Sequence, residues 1–440
     1  MRGLYRLGSA GALAVTAATG LVVSGYVLSA QPALAKGKAS YSKEFTAAAK
    51  PVQDKVKELE KLRDGGDAAG AKAGANAALP MLDAAMAAVS TDLDKLAAGQ
   101  FALSLGGMND DPALRQKGIQ MMLDSGQIAE DKQGLYLFYL GNFAYGAKDY
   151  PTAMSALAKA ASMGFEHEAL VPLMVQAYQG AGQAEAGLAA ARKAIEDRRA
   201  AGLAVPQDWI ERSNVVAYNA KSADNAVYFS TVLVDEYPSN FNWLAAAQII
   251  RALGGLDPQT TLDLFRLMDR AGALDNEPDY VKNEYKEYIE TADPRRLPGE
   301  VVRTIDKGVN SGAIDLSGWV AEARTNASGR IASDKASLPS EVAGAMSAAT
   351  GTRPLGLADA FLNYGNAAQA EELYSAALAK GGIDANTALT RLGIAQFDQG
   401  KLAEAKASFA KVTGPRAIVS KLWMVHIDNK LAPAPAAPAQ

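Results

Sequence analysis

The chain has 440 residues, 49% of them apolar but only 7% aromatic, and a formal net charge of −4. That length can bury a large core, and an alanine-rich, aromatic-poor mix suits close helix-on-helix packing better than a β-sandwich. The lack of any cysteine excludes disulfides, thiolate metal sites and cysteine nucleophiles, and the mildly acidic balance gives no electrostatic basis for nucleic-acid binding.

The first segment is read as a targeting sequence. Arg2 and Arg6 make a positive start, and Leu7 to Ala35 carries no charge. The run closes on Pro32-Ala33-Leu34-Ala35, with small residues where a signal peptidase needs them and a helix breaker just before. Cleavage before Lys36 is expected, and it leaves 42 basic against 48 acidic residues. The alternative is an uncleaved N-terminal anchor, because the run is long enough to span a bilayer; Gly8, Gly11, Gly20 and Gly25 weaken that case. No later stretch of 18 apolar residues occurs, so the mature chain is expected to be exported and periplasmic.

Residues 36–95 form an N-terminal helical segment, where VQDKVKELEKL places Val56, Leu59 and Leu62 at helical spacing. Residues 96–126 suggest a degenerate helix pair whose second member starts at Asp111-Pro112. A clearer unit follows in LFYLGNFAYGAKDYPTAMSALAKA, residues 137–160, where Leu140-Gly141 precedes Ala153, Leu157 and Ala160. Stepping 34 residues on gives Met174, Val175, Tyr178, Gly187 and Ala194. A third copy fits with Asn214, Ala226 and a terminal Pro238, after an extra loop at 203–207. A fourth follows Trp243, turns at Gly254-Gly255 and enters its second helix through Asp257-Pro258.

Residues 275–350 still read as a helix pair but lack the small residues, so they are degenerate repeats or an inserted helical segment. The pattern returns over 351–430, with Leu357, Ala358, Phe361, Ala370, Tyr374 and Ala377, and 35 residues later in TRLGIAQFDQGKLAEAKASF with Leu392, Gly393, Ala405 and Phe409. IVSKLWMVHIDNKL is expected to be a helix that caps the last repeat, and the Pro/Ala tail at 431–440 is expected to be disordered.

This pattern resembles the tetratricopeptide repeat (TPR), a 34-residue helix-turn-helix, with Leu137, Leu140, Gly141, Ala144, Tyr150, Ala153, Leu157 and Ala160 at its consensus positions. The resemblance covers roughly half to two-thirds of the mature chain and implies an all-α solenoid of about five to eight TPR-like repeats, degenerate ones included. It also implies that Gly141 faces Ala153 and Gly393 faces Ala405, two small residues where the paired helices touch. In this family the groove lined by first helices binds peptides or helices of partner proteins. The positions that carry over are Phe138, Asn142 and Tyr145, then Gln176 and Gln179, then Val215, Tyr218 and Asn219, and finally Ile394 and Phe397. The family's carboxylate clamp is not matched: only Asn142 has a counterpart, and Phe138 stands where a lysine is needed.

Catalytic patterns are missing. Of the two histidines, His167 begins a His-Glu pair, but Val171 occupies the place of the second zinc ligand. GGDAAGAK at 65–72 has its lysine one place too late for a phosphate loop and no Ser or Thr after it. There is no G-x-S-x-G elbow, no calcium-loop spacing and no Glu-Ser pair of the kind some helical lytic transglycosylases use. No catalytic residue, metal or cofactor is expected. The reading is a non-enzymatic scaffold for protein partners in the bacterial cell envelope. The alternatives are a glycan- or peptidoglycan-binding factor and a hydrolase with carboxylates across the groove.

Overall fold

A computed structural model describes residues 40–432, so the expected signal segment and residues 433–440 lie outside the described residues. Among the described residues every regular element is a helix, 21 α-helices and one short 3-10 turn, with no strand. None of these helices is long and apolar enough to cross a membrane. The helices pair in sequence as a TPR-like repeat fold, divided into two compact units at Val216 and Ala217.

The first unit opens with α1 (Lys43–Asp64), α2 (Ala68–Ala77) and α3 (Leu79–Ala87), which pack on α4 (Asp92–Met108). In α1 the residues Phe45, Ala49, Val52, Val56 and Leu59 are buried at alternating steps of four and three, the stripe of an amphipathic helix. Leu62, three residues beyond Leu59 and expected at helical spacing with it, is instead 36% exposed. Asp94 joins the start of α1 to the start of α4. Its carboxylate accepts from the Ser42 backbone N–H at 3.0 Å and hydroxyl at 2.8 Å, and from the Thr91 N–H at 3.0 Å. Burial opposes the charge on Asp94, but these hydrogen bonds and one from the Ser90 N–H outweigh it and hold the carboxyl below its ordinary range.

The next pair is α4 with α5 (Pro112–Asp124), which begins at Asp111-Pro112, where the Asp111 carboxylate accepts from the Leu114 N–H. A Cβ built on Gly99 would lie 2.6 Å from the Gly118 carbonyl oxygen, and one on Gly118 equally close to that of Gly99. The two backbones therefore touch, which only glycine permits. Next come α6 (Glu130–Gly146), α7 (Tyr150–Ser162) and α8 (Leu170–Gly180). They are followed by α9 (Ala184–Ala200) and by α10 (Gln207–Asn219), which spans the boundary. The expected Gly141–Ala153 contact is not the closest one, because a Cβ on Gly141 would meet Leu157 Cγ at 2.4 Å. Helical side chains lean back toward the N-terminus of their helix, so the spot opposite Gly141 is covered by the residue one turn beyond Ala153.

The second unit runs through α11 (Ala223–Glu236), α12 (Asn240–Leu253) and α13 (Pro258–Arg270), then α14 (Pro278–Ala292) and α15 (Pro298–Asn310). A 29-residue helix, α16 (Gly318–Met346), follows, and it buries only Val320, Ala323, Ala327, Leu338 and Ala345. The last pairs are α17 (Thr352–Asn363) with α18 (Ala367–Lys380), and α19 (Ala385–Asp398) with α20 (Leu402–Phe409). The turn Gly414–Arg416 then leads into α21 (Ala417–Leu431). Again the glycine meets a large residue one turn past the expected alanine: a Cβ on Gly393 would lie 2.7 Å from the Phe409 ring.

This unit departs from an open stack. In such a stack each repeat touches only its neighbours, whereas α21 packs on α20 and also returns onto α11 and α13. Asn429 in α21 donates to the Val234 carbonyl in α11 at 2.7 Å, across 195 residues of sequence. As a result α13 is surrounded, and all nine residues from Thr260 to Met268 are buried.

Candidate functional site

The groove positions implied by the repeat resemblance divide into reachable and buried ones. On α6, Phe138 is buried, which corrects the expectation that it faces a partner. Its ring lies 4.3 Å from that of His167 and 5.7 Å from that of Phe165, both from the segment linking α7 and α8. Asn142 and Tyr145 on α6 and Gln176 on α8 are half-buried, and Gln179 is exposed. Tyr218 is half-buried and Asn219 exposed at the C-terminal end of α10, with Val215 half-buried one turn earlier.

Two tyrosines absent from the expected set, Tyr136 and Tyr139, are also half-buried on α6. Burial pushes the phenols of Tyr136, Tyr139 and Tyr145 above their ordinary range. Tyr136 and Tyr139 stand three residues apart as neighbours on the helix surface, while the six-residue step on to Tyr145 turns about 120° away from Tyr139.

In the second unit Ile394 is fully buried, so it offers nothing to a ligand, and this too corrects the expectation. Phe397 is half-buried, its ring 5.1 Å from Trp423 and 5.4 Å from His426, with the Lys430 ammonium 5.7 Å from its centroid. On α19, Phe397 meets α21 through Trp423 and His426, and α13 packs on the same helix.

Behind that closure lies a buried ionic cluster that no sequence motif marks. Asp263, fully buried on α13, accepts hydrogen bonds from Arg266, from Arg391 on α19 and from Arg416 in the 3-10 turn. Arg266 also grips Glu300 of α15 with two parallel bonds, Nε to Oε1 at 2.8 Å and Nη2 to Oε2 at 2.7 Å. The Tyr288 hydroxyl donates to the same carboxylate at 2.7 Å. Arg391 continues to Asp359 of α17, which also accepts from the buried Tyr374 hydroxyl of α18 at 2.7 Å. Burial opposes the charge on Glu300, but the Arg266 guanidinium beside it prevails and holds the carboxyl down to about 2.

A cavity of about 230 Å³ adjoins this cluster. Arg266, Arg270, Tyr288 and Glu300 line it together with Arg303, Thr304 and Lys307. Arg270 is closed by two bonds to Asp398, both 2.7 Å. Lys307 is held by Asp269 at 2.7 Å and Asp275 at 2.9 Å.

His426 on α21 is buried, and its Nε2 has no hydrogen-bond partner; nor does the Nε1 of Trp423. Burial first, and then the Lys430 and Arg270 charges, push the imidazole down to about 4. A free histidine titrates near 6.5, so below that value the unfolded chain takes a proton the folded one refuses. The stability of this unit should fall as pH drops from about 6.5 toward 4, by on the order of 3 kcal/mol. Glu300 adds a further loss only as pH falls through the range from its unfolded value toward 2. Urea midpoints at pH 7, 5.5 and 4.5 measure the first slope, and His426→Phe should flatten it.

No protein-family model and no curated protein sequence matches the chain. Among solved structures, one described as the structure of Naa15/Naa10 bound to HypK-THB is similar, at 14% identity and a TM-score of 0.32. The match covers 86% of this chain and 63% of that one, so this chain spans less than two-thirds of its length. A likeness at that level says nothing of activity or partners.

Proposed function

We propose that the chain is an exported, non-enzymatic TPR-like scaffold that binds protein partners in the bacterial cell envelope. The observation that carries this reading is a set of reachable polar and aromatic side chains on the first helices of two consecutive pairs. The phenols of Tyr136, Tyr139 and Tyr145 and the amides of Asn142, Gln176 and Gln179 are half-buried or exposed. Polar groups that are partly withdrawn from water usually find a hydrogen-bond partner, and tyrosine is enriched where protein partners meet. Export rests on the charge pattern and the Ala33-Leu34-Ala35 site of the first 35 residues.

The double change Gln176→Glu and Gln179→Glu places two charges on this surface without touching the core. It should lower the affinity for the envelope partner at least tenfold while leaving the melting temperature unchanged, as read by titrating purified partner into each form. The mature protein should be recovered from the periplasmic fraction with Lys36 as its first residue; recovery with residues 1–35 intact would favour the membrane-anchored form. Tyrosines and amides also suit sugars, so retention of the purified protein on isolated cell-wall sacculi would favour the glycan-binding alternative.

A further inference from the structure

We propose that the cavity formed by α13, α14, α15 and α17 binds a small organic anion through a carboxylate or phosphate group, with Arg303 and Thr304 as the recognising pair. The inference does not depend on the scaffold reading, because it concerns other residues, within the second unit, and a different class of ligand.

The charges on the cavity wall are nearly all closed within the protein. Arg266 is spanned by Asp263 and Glu300, Arg270 by Asp398, and Lys307 by Asp269 and Asp275. Arg303 is the exception. It is exposed on α15, and its Nη1 donates to the Asn363 carbonyl at 2.7 Å. No carboxylate among the described residues lies within ion-pair distance of it, and its Nε and Nη2 groups have no acceptor there. The same Asn363 accepts from the Glu300 N–H at 2.8 Å through its side-chain oxygen, so the anchor of the guanidinium is itself fixed by the buried cluster. Thr304, the next residue, is buried and lines the cavity, yet its hydroxyl makes no hydrogen bond among the described residues.

A wall whose other charges are compensated leaves one positive charge and one hydroxyl without a partner among its lining residues. That is the donor set for one oxyanion group of a ligand, and a planar guanidinium suits the two oxygens of a carboxylate or phosphate. The volume of about 230 Å³ corresponds to roughly seven or eight waters at about 30 Å³ each, more than a bare ion fills. Leu274 and Leu362 supply apolar surface for the rest of the molecule. A buried ionic cluster is also a weak route to stability compared with apolar packing of the same volume, and groups displaced from their ordinary titration beside a cavity mark functional sites.

The test is calorimetric titration of the full chain with inorganic phosphate and, separately, with succinate, at ionic strength held constant with chloride. At least one should bind saturably with unit stoichiometry. Arg303→Gln should weaken that binding about tenfold or more, the range expected for a charged hydrogen bond, and Thr304→Val about threefold or more. Arg303→Lys, which keeps the charge without the fork, should fall between wild type and Arg303→Gln. Binding of phosphate alone identifies a phosphorylated ligand, binding of succinate alone a carboxylate, and binding of both a general small-anion site. No saturable heat with either, or binding that Arg303→Gln leaves unchanged while the variant melts like wild type, overturns the proposal.

Discussion

Arg266→Met is expected to destabilise the unit from Ala217 onward by about 3 to 5 kcal/mol at neutral pH, the usual cost of leaving a buried charge without its partner. Arg266 supplies both parallel bonds to Glu300, and Glu300 is then left with the Tyr288 hydroxyl. The carboxyl would titrate higher in the variant, so the penalty should shrink as pH falls and the group becomes neutral. Adding Glu300→Leu should recover much of the loss, since replacing both members of a buried pair by apolar groups is often neutral. Guanidinium melts followed by tryptophan fluorescence are suited to this, because Trp243, Trp319 and Trp423 all lie in the affected unit. A loss below about 1 kcal/mol would mean that the cluster does not hold this unit together.

Trp423→Ala should cost about 3 to 5 kcal/mol, as large-to-small changes of buried aromatics do. Trp423 is fully buried on α21. Its ring stacks on Phe409 at 5.4 Å, meets the edge of Phe397 at 5.1 Å and lies under the Arg270 guanidinium at 5.9 Å. One side chain thus links α20, α19 and α13 to the last helix. Trp423→Phe should cost much less, because the indole Nε1 makes no hydrogen bond in the folded protein and losing it leaves nothing unpaired. Hydrogen exchange distinguishes how the alanine variant opens. If α21 closes the unit, protection in α11 and α13 falls together with that in α21; if α21 frays alone, the closure is only peripheral.

What the sequence made legible follows from the range over which its signals act. Helix starts at Asp111-Pro112 and Asp257-Pro258 are local chemistry, and both carboxylates cap the helices as expected. The small-residue period reports contacts between adjacent helices, so the pairing of α6 with α7 and of α19 with α20 could be read directly. Which atom touches Gly141 could not, because the period ignores the backward lean of helical side chains that brings Leu157, not Ala153, over it.

The closure of the second unit lies further beyond a repeat period, since α21 meets α11 across 195 residues. Ile394, a groove position by resemblance, belongs to the buried core of that unit. The ionic cluster is hidden for the same reason. Asp263 and Arg266 in LDLFRLMD look like a solvated pair one turn apart, and their remaining partners stand 34, 128 and 153 positions away. Phe138 was misplaced by a shorter-range effect, the cover provided by Phe165 and His167 from the neighbouring linker.

The central claim, that first-helix side chains of consecutive pairs receive a protein partner, is tested most directly by a photocrosslinking residue at Gln179 on α8 and, as a control, at Lys193 on α9. Both positions are exposed, so neither should disturb folding. In cells, irradiation should attach one defined envelope protein to position 179 and none to position 193. Adducts only at 193, or no protein adduct at 179 when the chain is folded and exported, would contradict the account.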